Sequence, residues 1–256
     1  MDLGLKGKKA VVLGGTRGIG RAIVETLIAD GAHVALCARN AEQVAETVAA
    51  LKAQGATVTG GAVDIVDAAA LTDWIGRAAG ELGGIDILVS NAGAMAQGNT
   101  REAWEANLRL DVLGGAVAAF DAARPHLEAA AAGGDAAFII ISSVSAAESD
   151  RADSYGPIKA ALIHLAKGMA RQYAKKGVRV NVVSPGTVYF KGGVWNWIEE
   201  NQPEVFKGAM ERNPTGRMAT PQDIANAAVF LASPASSFTT GINLLVDGAI
   251  SRRVNF

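Results

Sequence analysis

The chain has a single cysteine among its 256 residues, Cys37, so no disulfide can form within it. The N-terminal run Met1-Asp2-Leu3-Gly4-Leu5-Lys6 lacks the apolar stretch of a secretion signal, and with the lone cysteine this leads us to expect a cytoplasmic protein. Long hydrophobic runs are missing too. Gly, Asp or Arg interrupts each apolar stretch before the roughly 18 residues that a membrane span requires, so no membrane partner is expected. Neither sign of charge dominates: the formal net charge is -1, which argues against a nucleic-acid partner held by phosphate neutralisation but leaves room for a small anionic ligand. No Pro/Ser-rich linker and no block of like charge divides the chain, so residues 1–256 read as one domain. His33, His126 and His164 show no metal-ligand spacing with carboxylates or with Cys37, and no metal is expected.

What the chain does have is a sustained alternation of short apolar or β-branched runs with Ala-rich, helix-periodic segments. Strands are expected near 10–14, 33–38, 57–63, 85–90, 137–142, 179–183 and 243–246, and helices near 18–30, 41–54, 67–82, 101–131, 154–176 and 221–232. The run Phe138-Ile139-Ile140-Ile141 is apolar on both faces, as a central parallel strand covered by helices must be. The expected fold is α/β: a three-layer αβα sandwich around a doubly wound, parallel, seven-stranded sheet. Residues 188–216 break the rhythm with Phe190, Trp195, Trp197 and Phe206 between two proline-containing corners. This segment reads either as an inserted substrate lid or as a surface helix stapled to the core by its aromatics.

Leu13-Gly14-Gly15-Thr16-Arg17-Gly18-Ile19-Gly20 directly follows a strand and opens a helix. In that context glycines allow a tight turn and the close approach of a pyrophosphate, whose charge the free N–H groups and dipole of the helix start favour. At the end of the second strand, where a carboxylate would bind the 2′-hydroxyl of NAD, stands Cys37-Ala38-Arg39-Asn40. Arg39 and Arg17 can instead clamp a 2′-phosphate, so NADP(H) is expected in preference to NAD(H).

The spacing Gly14, Gly18, Gly20 resembles that of the short-chain dehydrogenase/reductase family, in its compact branch of about this length whose members include 3-oxoacyl-carrier-protein reductases. Leu13 stands where that family has a threonine, which removes a side-chain hydrogen bond from the turn. The resemblance extends to Asp64-Ile65, where the carboxylate would meet the adenine amino group, and to Asn91-Ala92-Gly93 after the fourth strand. It continues through Asn181-Val182-Val183-Ser184-Pro185-Gly186-Thr187, beside the nicotinamide, with main-chain contacts from Val188 to the carboxamide. Later segments, from Gly216-Arg217 to Val246-Asp247-Gly248, carry it to nearly the whole chain. It implies a Rossmann fold, an oxidoreductase and a homotetramer built on the long fourth and fifth helices and the C-terminal strand. The run Gly114-Gly115-Ala116-Val117-Ala118-Ala119 would allow close helix packing in such an assembly, or would face the chain's own sheet.

Ser143, Tyr155 and Lys159 resemble the family's catalytic Ser, Tyr and Lys. Tyr155 and Lys159 lie just over one helical turn apart and stack on one face, while Pro157 limits the helix to starting no earlier than about Ser154. A free phenol, with a pKa of about 10, is rarely ionised at neutral pH. A nearby ammonium, the oxidised nicotinamide and a helix N-terminus all favour the phenolate, so such a phenol can exchange a proton with a carbonyl or alcohol oxygen that Ser143 holds. The step from Ser143 to Tyr155 is one residue shorter than usual in the family, which keeps Ser142 as an alternative. Asp111 stands where the family has an asparagine that holds a water leading protons to the lysine. If ionised, Asp111 would pair with Lys159 and draw it from its post; if only the main-chain carbonyl binds the water, the change is tolerated, and tolerance is expected.

These expectations describe an oxidoreductase acting on a carbonyl/secondary-alcohol pair, with Met95, Ser143, Ser145 and Trp195 toward a small-molecule substrate. The lid aromatics suggest an apolar or ring-bearing one. A cofactor-binding regulatory or scaffold protein that has lost turnover is the second reading. A third, non-redox chemistry such as dehalogenation, is disfavoured by Lys159 and by the glycine loop.

Overall fold

The computed structural model describes residues 2–149 and 152–254. Seven strands, β1 (Lys9–Leu13), β2 (His33–Ala38), β3 (Val58–Ala62), β4 (Ile87–Ser90), β5 (Ala136–Ile141), β6 (Val178–Pro185) and β7 (Asn243–Val246), form one sheet in the order β3-β2-β1-β4-β5-β6-β7. Every neighbouring pair is parallel. β5 and β6 are buried along their whole length because helices cover both faces.

On one face, α3 (Ala68–Leu82), α5 (Ala119–Ala132) and α6 (Tyr155–Tyr173) bury Leu71, Ile75, Phe120, Leu127, Leu162 and Tyr173 against the sheet. Phe120 stacks on Phe138 and meets Tyr173 edge-on, with ring centroids 5.5 and 4.8 Å apart. On the other face, α1 (Gly18–Ala29), α2 (Ala41–Ala53) and α9 (Pro221–Ala232) contribute Ile23, Leu27, Val44, Leu51, Ile224 and Val229. This is the expected three-layer sandwich. The strand order reverses between β1 and β4, so the carboxyl ends of these strands open a crevice, the place where open α/β sheets take their ligands.

Three regions depart from the sequence expectation. The helix expected at 101–131 is α4 (Arg101–Asn107) and α5 joined by a π-helical stretch, Leu108–Ala118. A Cβ on Gly114 would lie 2.3 Å from the Ile65 carbonyl oxygen, and one on Gly115 would lie 2.8 Å from Ser90 Oγ. The glycine pair therefore lets this stretch press against the chain's own sheet end. β6 runs on through Ser184 and Pro185, pairing with Leu245 and Val246, so the start of the expected nicotinamide loop is strand. Residues 188–216 contain two short helices, α7 (Val194–Asn201) and α8 (Pro203–Glu211), and the segment is tied at its base by the bridge between Val188 and Ala219.

Candidate active site

The glycine loop sits at the crevice. Gly14 and Gly18 have φ of +78° and +54°, left-handed values that glycine adopts without a Cβ clash. The N–H groups of Gly14 and Gly15 donate to the Cys37 carbonyl, and Asn91 Nδ2 donates to the Gly14 carbonyl (2.9 Å), tying the ends of β2 and β4 to the loop. Helix α1 then starts without a side-chain cap and without an acidic residue in its first turn, whereas Asn40, Asp67 and Thr100 cap α2, α3 and α4. An uncapped, acid-free helix start beneath a glycine turn fits the pyrophosphate of a dinucleotide. Arg17 and Arg39 are exposed on the same side of the sheet end, at the helix start and after β2. Asp64 is exposed, with its carboxylate accepting the Val66 N–H, while Ile65 is buried. Burial pushes the Cys37 thiol up to about 12 against a smaller opposing hydrogen bond at Gly14, so the one cysteine is inert in the folded chain.

One aromatic of the 188–216 segment reaches this loop. A Cβ on Gly18 would lie 2.5 Å from the tip of the Phe190 ring, and one on Gly193 would lie 2.8 Å from its edge, so the ring is held between these two glycines. Phe206 packs edge-on against Tyr189, whose hydroxyl donates to Glu199. Trp195 is half-buried, and Trp197 is exposed. Phe190 therefore packs against the core, as in the stapling alternative, whereas Phe206 packs within the segment itself.

Helix α6 starts at Tyr155, where Pro157 falls in the first turn and its missing N–H costs nothing. Asp153 Oδ1 accepts the N–H groups of Tyr155 (3.0 Å) and Gly156 (3.3 Å), fixing the start of the helix. One turn on, Lys159 Nζ lies 5.6 Å from the centroid of the Tyr155 ring. The ammonium is buried and donates to the Ile141 carbonyl at 3.2 Å. It also lies 3.0 Å from Asp111 Oδ2, an ion pair whose angle falls short of a hydrogen bond at that oxygen. Asp111 Oδ1 accepts the Ala94 N–H at 2.8 Å. The Asp111 side chain thus pairs directly with Lys159, the first of the two outcomes set out from the sequence, yet Lys159 keeps its place behind Tyr155. Burial works against the Lys159 charge, but the fields of Tyr155 and of Asp111, with the close Asp111 contact, outweigh it and hold the ammonium above its ordinary range.

The two serines at the end of β5 differ. Ser142 is buried and its hydroxyl donates to the Lys159 carbonyl at 2.8 Å, which uses it to fasten α6 to the strand. Ser143 is half-buried, and its Oγ accepts only the Ser145 N–H (3.1 Å) among described contacts, leaving a donor for a bound oxygen. Gly93 lies beside the ion pair: a Cβ there would be 3.5 Å from Lys159 Nζ. Met95 follows with φ +54° and is half exposed. Pro185 is buried, Gly186 would place a Cβ 2.8 Å from the Asp247 backbone, and Val188 is buried at the bridge.

Asn107, which the sequence reading did not single out, organises one wall of the site. It is fully buried, accepts the Ala96 N–H and donates to the Ala96 carbonyl and to Ser154 Oγ. Ser154 in turn donates to the Gly98 carbonyl. Asn107 and Asp111 therefore clamp the backbone on either side of Met95, holding it in its left-handed conformation, and join that loop to the start of α6. The available signal was their four-residue spacing on one helix face. Among the described residues no group of His, Cys, Asp and Glu gathers as a metal site.

A family model described as enoyl-(acyl carrier protein) reductase matches residues 14–251. Isoepoxydon dehydrogenase patN of Penicillium expansum is 37% identical over 255 residues, which are 98% of this chain and 97% of that protein. The structure of L-sorbose reductase from Gluconobacter frateurii, complexed with NADPH and L-sorbose, matches with a TM-score of 0.90 at 30% identity over 99% of this chain and 100% of that one. An NADPH-bound short chain oxidoreductase from Pseudomonas aeruginosa PAO1, described as containing an atypical catalytic center, matches at a TM-score of 0.87 and 33% identity over 96% and 98% of the two chains.

Proposed function

The chain belongs to the short-chain dehydrogenase/reductase family, and from that premise we propose that it is a single-domain, NADP(H)-dependent enzyme interconverting a carbonyl and a secondary alcohol. The observation that carries this reading is the stack at the start of α6, where the Lys159 ammonium lies 5.6 Å from the Tyr155 ring beside the end of β5. The cofactor, when bound, supplies or accepts the hydride. Tyr155 gives a proton to the substrate oxygen or takes one from it, and Ser143 holds that oxygen by hydrogen bonding.

Gly14, Thr16, Arg17, Gly18, Ile19 and Gly20 would hold the pyrophosphate, and Arg17 with Arg39 the 2′-phosphate. Asp64, Ile65 and the Asn91-Ala92-Gly93 turn would flank the adenosine side, and Pro185, Gly186 and Val188 the nicotinamide. NADPH in both solved relatives supports the phosphate assignment. Met95, Ser145 and Trp195 would face the substrate, for which the half-buried Trp195 favours a ring-bearing compound. A homotetramer in the cytoplasm completes the reading; a monomer by light scattering at micromolar concentration would refute the assembly.

The test is NADPH oxidation against a panel of ketones, quinones, sugars and acyl thioesters, with alcohols and NADP in reverse. Tyr155→Phe should lower turnover about 10²- to 10⁴-fold with the fold intact. Equal efficiency with NADH and NADPH would overturn the cofactor preference. The Lys159–Asp111 contact also supports a second reading, a cofactor-binding scaffold with lost turnover. Steady NADPH consumption with any carbonyl would exclude it.

A further inference from the structure

Lys159 does not stand beside Tyr155 as a free cation. From α6 the centre receives Tyr155 and Lys159, and from the π-helical stretch it receives Asp111. The turn before α6 adds Asp153, whose carboxylate meets the Tyr155 and Gly156 N–H groups. The end of β5 offers only neutral groups, the Ile141 carbonyl and the hydroxyls of Ser142 and Ser143, and the loop after β4 the Ala94 N–H. Asp111 and Lys159 are both buried, 3.0 Å apart, so their opposite charges act on the surroundings as a short dipole. A bare ammonium favours a neighbouring phenolate, and a neutralised one favours it much less.

We propose that Asp111 is a positioning residue that acts on Tyr155 through Lys159: it holds the ammonium between its own Oδ2 and the Ile141 carbonyl, cancels most of its charge, and so suits Tyr155 to donating a proton to a carbonyl oxygen near neutral pH. The inference rests on the reading of Tyr155 as the acid/base group. In the proton step the Tyr155 O–H bond breaks as the O–H bond of the product alcohol forms, and the phenolate left behind recovers its proton from solvent. Removing the Asp111 charge strengthens the hold of Lys159 on that phenolate. Alcohol oxidation, which needs the phenolate at the outset, then extends to lower pH, and carbonyl reduction, which needs the phenol, fails at lower pH. The reaction's equilibrium is untouched, so both limbs move together.

Asp111→Asn tests this, since the amide oxygen still accepts the Ala94 N–H. Tyrosinate absorbance is titrated in the protein alone and with oxidised NADP, with the Tyr155→Phe protein as the background that isolates Tyr155 from Tyr173 and Tyr189. The expected result is that Tyr155 ionises about one pH unit lower in Asp111→Asn, a tenfold gain in phenolate on the acid limb. The oxidation and reduction profiles of the first active pair from the panel should shift the same way. No shift, or a shift upward, overturns the proposal. So does a larger downward shift in Asp153→Asn, which would assign the effect to the other carboxylate. Turnover that survives Tyr155→Phe removes the underlying reading instead, and the two failures are therefore distinguishable.

Discussion

Two buried basic residues, each paired with an aspartate, stand on neighbouring elements of this fold and are held in opposite ways. Arg179 on β6 makes a two-pronged contact with Asp135, at 2.8 and 2.7 Å, and donates to the carbonyls of Leu231, Ala232 and Ser233 and to Ser236 Oγ. The guanidinium thereby caps the C-terminal end of α9 and locks it to β5 and β6. Among the described residues Lys159 has the Ile141 carbonyl and a poorly aligned carboxylate oxygen, and it faces an aromatic ring. A fixed, fully bonded fork serves structure; a compact ammonium with donors to spare serves a site whose charge changes during a reaction.

The sharpest test replaces each pair whole. Arg179→Met with Asp135→Leu takes its donor from the Ala232 carbonyl, while the Leu231 and Ser233 carbonyls keep Ser236, and at about 1–3 kcal/mol for a buried group left unpaired urea unfolding should show a loss of about that size with turnover kept in the folded protein. Lys159→Met with Asp111→Leu takes the partners of the Ala94 N–H and the Ile141 carbonyl and, like the other exchange, removes two buried charges, whose replacement by apolar groups is often neutral or stabilising. That variant should stay within about 2 kcal/mol of the parent and lose turnover. Turnover kept by this variant, or lost by a folded Arg179→Met/Asp135→Leu protein, would break the contrast between the two pairs.

Alkaline pH separates the pairs again. The Lys159 pKa is raised in the folded state, so the stability its pairing contributes is fully present below the ordinary lysine value of 10.5 and is lost as pH rises through the raised value. Arginine stays charged throughout. Stability measured above that ordinary value should therefore fall in the parent and in the Arg179→Met/Asp135→Leu protein. The Lys159→Met/Asp111→Leu protein should lack this part of the fall.

How much of this was legible beforehand follows from sequence distance. The glycine loop and the Tyr155–Lys159 stack depend on turn and helix geometry within a few residues, and both stand where the spacing implied. Pro157 even fixed the start of α6. Arg179 read only as a strand residue, because its partners lie 44 to 57 residues away and no local pattern announces them. The π-helical stretch escaped because its cause, Gly114 and Gly115 against Ile65 and Ser90, is a tertiary contact. Asp111 was visible as a departure from the family pattern, but whether its side chain would meet Lys159 depended on a tertiary contact that local spacing does not show. The aromatics of 188–216 looked alike in sequence, and only packing separates Phe190, seated on Gly18, from the exposed Trp197.

That seat offers a smaller test of what is fixed and what is poised. Gly18→Ala must adopt φ +54° with a Cβ 2.5 Å from the Phe190 ring. The left-handed backbone alone costs about 1–2 kcal/mol, and relieving the clash moves the ring. NADPH affinity and thermal stability should both fall, and adding Phe190→Ala should restore the steric part only. Full recovery in the double variant would show that the Gly18 backbone itself carries no constraint.

The smallest effect belongs to the exposed counterpart of the two buried pairs, Arg217–Asp223 at the start of α9. Arg217, and next the Thr220 N–H, lower the Asp223 pKa to about 2, while Thr220 and Asp223 complete a capping box. A depressed carboxylate contributes stability above its ordinary value of 3.8 and loses it as pH falls toward about 2. Solvent screens this pair, so Arg217→Ala should cost less near neutral pH than Thr220→Ala, which should cost about 1 kcal/mol through the lost cap. The Arg217 cost should vanish on acidification as Asp223 takes up its proton, whereas the Thr220 cost should persist in part because the hydroxyl accepts the Asp223 N–H at any pH. Thermal unfolding of both variants across the acid range would separate charge from cap, and an Arg217 cost that survives protonation would show that its aliphatic stem, rather than its charge, supports α9.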